Sequence, residues 1–301
     1  LFEGWGIQFS PGGWEHHPFH PGNNVNGVNG DLNNDGKGLE IHNGQNAQIT
    51  DLQRAYVRRV VDTVNEFDNV LYEISNENHP GSTQWQYGMI TFIKDYEKTK
   101  PKQHPVGMTF QHKGGSNKTL LDSPADWISP NPAGGYRDNP PATDGSKVIV
   151  NDTDHLWGIG GNAAWVWKSF LRGMNPIFMD PYDGVVLTRG ADSDWAEAIR
   201  TTMGQALTWS RRVDLAAMIP HGDLASTAYC LANHGTEYLV YLPADATTVT
   251  VALPAGVFVP AWFNPDTGED VRHDQIQHEG GERSFASPGK GDALLHLIRV
   301  P

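Results

Sequence analysis

Val70-Leu71-Tyr72-Glu73-Ile74-Ser75-Asn76-Glu77-Asn78 is an apolar run that ends in an amide and a carboxylate. The segment Asn69 to Ser75 reads as one β-strand, short and bounded by polar residues. Strand alternation puts Glu73, Ser75 and Glu77 on one face. In a parallel barrel, polar residues at the C-terminal end of a strand reach the active-site mouth, whereas deeper ones are packed and need hydrogen-bond partners. Glu77 is therefore the site candidate and Glu73 its buried supporter. The competing structural reading makes Asn76 and Glu77 the cap of the following helix.

Outward from this run, short strands alternate with amphipathic helices from the N-terminus to about residue 212, the signature of βα units. Upstream, Leu52, Tyr56, Val57, Val60, Val61 and Val64 recur at helical spacing behind Thr50-x-x-Gln53, a capping-box start. Downstream, Trp85, Met89, Ile90 and Ile93 predict a second helix. Pro105 to Phe110, Ala125 to Ser129, Lys147 to Asn151 and Asn175 to Asp180 read as further strands, with helices near Ala163 to Arg172 and Asp194 to Arg211. With a first strand ending near Trp5, six strands result, two short of the roughly eight in a closed barrel. The missing pair is expected to precede Leu1. The open parallel edges then need cover from a partner copy, a preceding segment or the Asn/Gly-rich loop Gly22 to Gly38, since free edges invite pairing between chains. A homo-oligomer through these edges is one expectation.

From about Tyr229 the texture changes to short strands with polar turns: Thr227 to Ala232, Glu237 to Tyr241, Thr247 to Ala252, Val257 to Phe263 and Ala293 to Val300. Asn264-Pro265-Asp266-Thr267-Gly268 is a hairpin turn between two of them. The expected fold class is thus α/β, a TIM-type (β/α) barrel of six strands over residues 1–215, followed by an antiparallel β-sandwich over 225–301.

The 301 residues carry 22 Lys and Arg against 35 Asp and Glu, a net charge of −13 that repels phosphate backbones and argues against nucleic acid. No apolar run reaches membrane-spanning length. Cys230 is the only cysteine, so intramolecular disulfides and Cys-rich metal sites are excluded. The compartment stays open, because Leu1 to Gly6 contain neither a methionine start nor a signal peptide. Ten tryptophans among 33 glycines and 20 prolines suggest loops with aromatic platforms.

Tyr72-Glu73-Ile74-Ser75-Asn76-Glu77 resembles the fourth-strand motif of clan A glycoside hydrolases, the retaining (β/α)8-barrel glycosidases. The resemblance implies that Glu77 is the general acid/base and that Asn76 hydrogen-bonds the sugar 2-hydroxyl. It covers about residues 1–215. The clan usually has proline after the glutamate, where this chain has Asn78. Phe2-Glu3-Gly4-Trp5-Gly6 and the C-terminal strands are similar to apiosidase-like and cellulase-like bacterial glycosidases. A glycosidase would be expected to be secreted or periplasmic.

Retaining hydrolysis needs a second carboxylate about 5 to 5.5 Å from the first. Clan members carry it at the end of strand seven, which corresponds to Val148-Ile149-Val150-Asn151-Asp152-Thr153-Asp154. Asp152 and Asp154 both qualify. Asp154, beside His155 and Trp157, is preferred, and aspartate in place of the clan's glutamate leaves inversion open, with carboxyls about 6.5 to 9.5 Å apart. The competing reading makes Asp152 to Asp154 an Asx-turn and helix cap. Trp5, His112, Trp157, Asp180 and Tyr182 fall at predicted strand ends and could line a sugar subsite, each with a structural role as the alternative. Trp165 and Trp167 read as helix core. An alternative function is a noncatalytic carbohydrate-binding protein on the same barrel.

Two metal motifs remain. Asp31-x-Asn33-x-Asp35-Gly36 copies the first half of a calcium loop, although position twelve is His42 and Glu40 is merely nearby. A structural calcium is thus weighed against a solvated Asn/Gly loop, and no cofactor is required by the chemistry. His16-His17-x-x-His20 offers zinc ligands, but Pro18 and Pro21 break any helix that would align the rings, and loop histidines rimming a cleft fit better.

Overall fold

The computed structural model describes residues 1–181 and 193–300. These form two compact units, Leu1–Asn131 and Pro132–Pro301.

In the first unit the elements are β1 (Phe2–Glu3), α1 (Trp5–Phe9), α2 (Ala47–Val64), β2 (Tyr72–Glu73), β3 (Ser75–Asn76), α3 (Thr83–Glu97), β4 (Val106–Thr109), α4 (Asn117–Leu121) and β5 (Trp127–Ser129). β2 and β3 are one extended segment that changes partner at Ile74. Tyr72 and Glu73 pair in parallel with Val106 and Gly107, while Ser75 and Asn76 pair in parallel with Phe2 and Glu3. β5 continues the parallel pairing on the far side of β4. Gly107 is required there: a Cβ would lie 1.9 Å from the Trp127 indole, which rests on its backbone.

The helix expected to begin at Thr50 starts one turn earlier. Asn46 is its N-cap and accepts from Ile49 N (3.2 Å), and Thr50 instead returns its hydroxyl to Asn46 O (3.0 Å). The buried face runs Ile49, Gln53, Val57 and Val61, so Leu52 and Tyr56 of the expected stripe are exposed. Gln53 can be interior because its amide donates to Ile41 O and accepts from Trp85 Nε1, both at 2.9 Å. The first strand ends at Glu3, and Trp5 opens a five-residue helix rather than closing a strand.

The second unit begins with β6 (Val148–Asp152), α5 (Thr153–Trp157), α6 (Ala163–Leu171), β7 (Asn175–Ile177) and α7 (Asp194–Arg212), and β6 and β7 are parallel. All six expected strand positions therefore carry parallel-paired backbone. Trp165 and Trp167 are buried on α6, as expected of core residues.

After α7 the chain turns to antiparallel strands: β8 (Ile219–Pro220), β9 (Cys230–Asn233), β10 (Glu237–Leu242), β11 (Thr248–Leu253), β12 (Gly256–Asn264), β13 (Glu269–Arg272), β14 (Ile276–His278), β15 (Gly281–Ala286) and β16 (Ala293–Arg299). A seven-stranded sheet and the β11–β15 pair share one core that includes Tyr238, Val240, Val251, Phe258, Phe285 and Leu295. The predicted hairpin turn joins β12 to β13: Asn264 Oδ1 accepts from Asp266 N (2.8 Å), and Gly268 takes φ +73°. β8, β13, β14 and β15 were missed by periodicity because they are short or polar; β13 is exposed throughout.

Candidate functional site

Glu77 stands where the pairing of β3 ends. Below it, Glu73 accepts the Thr109 hydroxyl proton of β4 (2.8 Å), and burial raises the Glu73 carboxyl above its ordinary pKa although that hydrogen bond opposes the shift. The same Thr109 oxygen lies 3.4 Å from Glu77 N and can accept from it. Glu77 itself has φ +43°, a left-handed conformation that costs a non-glycine residue on the order of 1–3 kcal/mol. Its carbonyl is pinned by Gln8 Nε2 (3.0 Å), which also donates to Gly4 O (2.7 Å). Gly4 explains the glycine of the Phe2–Gly6 motif, since a Cβ there would fall 2.5 Å from Asn78 Cα and 2.6 Å from Asn76 O.

The Glu77 side chain is 12% exposed, and its Oε1 lies 3.9 Å from His112 Nδ1, a buried nitrogen without a hydrogen bond. His112 is edge-on to Phe9 (5.1 Å between centroids) and tilted to Phe110 (6.1 Å). Phe9 in turn lies 5.6 Å from Trp5, an indole left 42% exposed. Asn76 is half-buried at the end of β3. The expected residues Trp5, Asn76, Glu77 and His112 thus gather in one neighbourhood of the first unit.

Asn78, where the motif this segment resembles has proline, is held by buried partners. Fully buried, it donates to Ser75 Oγ (2.8 Å) and His42 Nδ1 (3.0 Å) and accepts from His79 N (2.8 Å). His42 lies against Trp85 (4.5 Å), and burial depresses its pKa to about 3, so it is neutral.

In the second unit, Asp152 ends β6 and caps α5, accepting from Asp154 N (3.0 Å), as the capping alternative requires. Asp154 is half-buried, and desolvation raises its carboxyl pKa. His155 is buried and held near pKa 4 by the same cause. Trp157 meets Trp165 edge-on at 5.6 Å. Asp180 accepts three hydrogen bonds from Arg200, at 2.7, 3.0 and 3.2 Å, a bidentate ion pair. Tyr182 lies outside the described residues.

At the calcium-like loop, Asp31, Asp35 and Glu40 each place a carboxylate oxygen within 4.8 Å of the others. Asn33 donates its amide to Glu40, and Asp31 accepts from Gly36 N (2.9 Å), with Gly36 at φ +75° making the turn. His42, at position twelve, is committed to Asn78 and Trp85 instead. His17 and His20 each accept a backbone N–H through Nδ1, from Phe19 and Gly22. Sequence reasoning missed Gln8, Phe9, Thr109 and Lys113. The signal for Thr109 was its alternate position in the Pro105–Phe110 strand; the others follow from packing between distant segments.

No family model matches this chain, and no curated protein matches it. Among solved structures, a protein described as a glycoside hydrolase superposes with a TM-score of 0.61, covering 86% of this chain and 70% of its own at 12% identity. A glycoside hydrolase family 5 protein from Bacteroides vulgatus gives a TM-score of 0.61 over 86% of this chain and 68% of its own, at 10% identity. The fold is similar to that of glycoside hydrolases. At such identities the likeness is one of fold, a TIM-like barrel, and the chemistry must be argued from the residues.

Proposed function

We propose that the chain is a glycoside hydrolase that cleaves a β-glycosidic bond of an oligo- or polysaccharide by retaining double displacement. The observation that carries the reading is Glu77: a nearly buried carboxyl on a fixed, left-handed strand end, beside a histidine and an aromatic face. Glu77 protonates the leaving oxygen, and Asp154 attacks the anomeric carbon. Glu77 then takes a proton from water, which releases the sugar from Asp154. Asn76 binds the 2-hydroxyl, with Trp5, His112, Asp152, His155, Trp157, Asp180 and Tyr182 lining subsites. Residues 1–215 form the catalytic part and 225–301 the accessory sandwich.

Glu77→Gln and Asp154→Asn are each expected to lose nearly all activity on aryl glycosides and plant or microbial polysaccharides. The anomer first released, followed by proton NMR, distinguishes retention from inversion. Normal turnover by either variant refutes that residue's role. A second reading, a noncatalytic carbohydrate-binding protein, is favoured by one observation: burial raises the Asp154 pKa, which opposes the ionised form a nucleophile needs. Intact oligosaccharide bound with no hydrolysis over days would select it.

A structural calcium at Asp31, Asn33, Asp35 and Glu40 and self-association through barrel edges belong to the same proposal. Among the described residues, each of β1 and β7 is the last strand in its path of paired strands. A monodisperse 33.1 kDa species in light scattering would exclude self-association.

A further inference from the structure

The lysines of the first unit are neutralised with one exception. Lys37, Lys94, Lys98, Lys100, Lys102 and Lys118 each pair with an aspartate at 2.5–3.4 Å. Lys113, the remaining lysine of residues 1–131, has no carboxylate in ion-pair range within its unit. Its Nζ stands 4.1 Å from the centre of the Phe9 ring. An aromatic face orients an ammonium group but leaves its charge uncompensated, and in a chain of net charge −13 that is conspicuous.

The position of Lys113 is tied to Glu77. The Phe9 ring that carries Lys113 is also the ring against which His112 packs, and His112 faces the Glu77 carboxyl. Four non-glycine residues among those described have positive φ, and two of them are Glu77 (+43°) and Lys113 (+53°), on the loops after β3 and β4. Such conformations persist where the surroundings over-determine them, and they cluster at ligand clamps. The surroundings here are specific. Gly115 N closes the Lys113 turn onto Gln111 O (2.9 Å), and the buried Gln111 side chain donates to His79 O and Ser82 Oγ, both at 3.1 Å. The turn bearing the cation is therefore fastened to the loop that follows Glu77. Beside it opens a cavity of about 390 Å³ lined by Gln8, Phe9, Ser10, Trp14, Lys37 and Lys113, among others. Lys37 is already paired with Asp35, and the one carboxylate of the lining, Glu15, forms no ion pair with Lys113.

From this juxtaposition of an exposed, unneutralised ammonium on a fixed backbone turn with an aromatic face and a nearly buried carboxyl, we infer that Lys113 is a specificity residue. It receives the carboxylate of an acidic sugar unit, a uronic acid residue, next to the unit on which Glu77 acts. Phe9 and Trp5 supply the apolar surface for the ring face. An ammonium is a compact point charge suited to a single carboxylate without the bidentate geometry an arginine would impose. The inference rests on the hydrolase reading for the role of Glu77, but the binding contrast does not need turnover.

The test uses β-1,4-linked tetramers of glucose and of glucuronic acid with the Glu77→Gln protein, in which hydrolysis is suppressed, and with that protein carrying Lys113→Met or Lys113→Arg. Calorimetric affinity for the acidic tetramer is expected to fall about tenfold to a hundredfold in Lys113→Met, the range of one charge-assisted hydrogen bond. The neutral tetramer should change less than about twofold, Lys113→Arg should retain most of the affinity, and the contrast should shrink in ~0.5 M salt. Equal losses on both tetramers, no loss on the acidic one, or no binding of it by the Lys113-containing protein overturns the inference. Absence of turnover by the unsubstituted enzyme on every substrate would instead sink the hydrolase reading and leave the affinity contrast standing.

Discussion

Replacing His104 by leucine should destabilise the first unit by about 3–5 kcal/mol, the usual cost of removing one partner of a buried ion pair. The pair is Glu97 at the end of α3 and His104 before β4, with side chains 1% and 4% exposed. Glu97 Oε1 accepts from His104 Nδ1 (2.8 Å), Asn65 Nδ2 (3.1 Å) and the Tyr72 hydroxyl (3.1 Å), and Oε2 accepts from His104 N (2.7 Å). The other ring nitrogen, Nε2, lies 2.8 Å from Phe67 O. A carbonyl and a carboxylate both only accept, so both ring nitrogens carry protons and His104 is an imidazolium. Burial works against that charge, but the Glu97 hydrogen bond and the Phe67 carbonyl outweigh it and hold the pKa above its ordinary value. Because the folded value exceeds the unfolded one, near 6.5, the stabilisation is complete below about pH 6.5 and is lost as pH rises through the folded pKa. Urea and thermal unfolding followed by circular dichroism at about pH 6 and pH 9 measure it. The wild type should exceed His104→Leu most at pH 6, with a Tm difference of roughly 6–20 °C. A difference under about 1 kcal/mol at pH 6, or one that widens with pH, would refute the imidazolium assignment.

Gly4→Ala should cost at least ~1–3 kcal/mol and lower activity, because its Cβ would meet Asn78 Cα at 2.5 Å and push the Glu77 loop outward; unchanged activity and Tm would contradict that packing. Acid should destabilise the protein through His42 and His155, whose folded pKa values of about 3 and about 4 lie below the unfolded value near 6.5. Their contribution is present above pH ~6.5 and fades as pH falls toward 4, so His42→Gln should flatten part of the acid limb of a Tm–pH profile. Millimolar calcium should raise Tm, and Asp31→Asn should remove that rise; a calcium-independent Tm in the wild type would exclude the ion.

The parallel strand positions and long helices were legible in the sequence because their apolar periodicity is regular and their lengths are typical. Boundaries were less so. Asn46 outcompetes Thr50 as a cap because Gln53, which the capping-box reading assigns to the helix terminus, is needed in the interior for Ile41 and Trp85. Glu73 could be placed from alternation, whereas Glu77 lies past the end of the strand at φ +43°, where alternation no longer applies. Thr109 and Gln8 could not be placed this way, since they reach Glu77 through pairings 32 and 69 residues apart in the chain, and Lys113 meets Phe9 from across the unit, contacts to which local periodicity is blind. The five-residue turn motif at 264–268 was readable because turn chemistry is local.

Asn78 is a matter of epistasis as well as of geometry. Its amide joins Ser75 on the strand to His42, and His42 leans on Trp85, whose indole is held by Gln53 of α2. A proline at 78 would strand Ser75 Oγ and His42 Nδ1 in a dry interior, a penalty of about 1–3 kcal/mol for each unsatisfied group. The substitution becomes tolerable only in company with an apolar residue at 42 and a second change at 75, and the coupling among them should run to ~0.5–3 kcal/mol in a double-mutant cycle. Any exchange between proline and asparagine at position 78 therefore passes through helix α2 and the loop before it. Residues of that helix and loop decide which side chain is permitted next to Glu77.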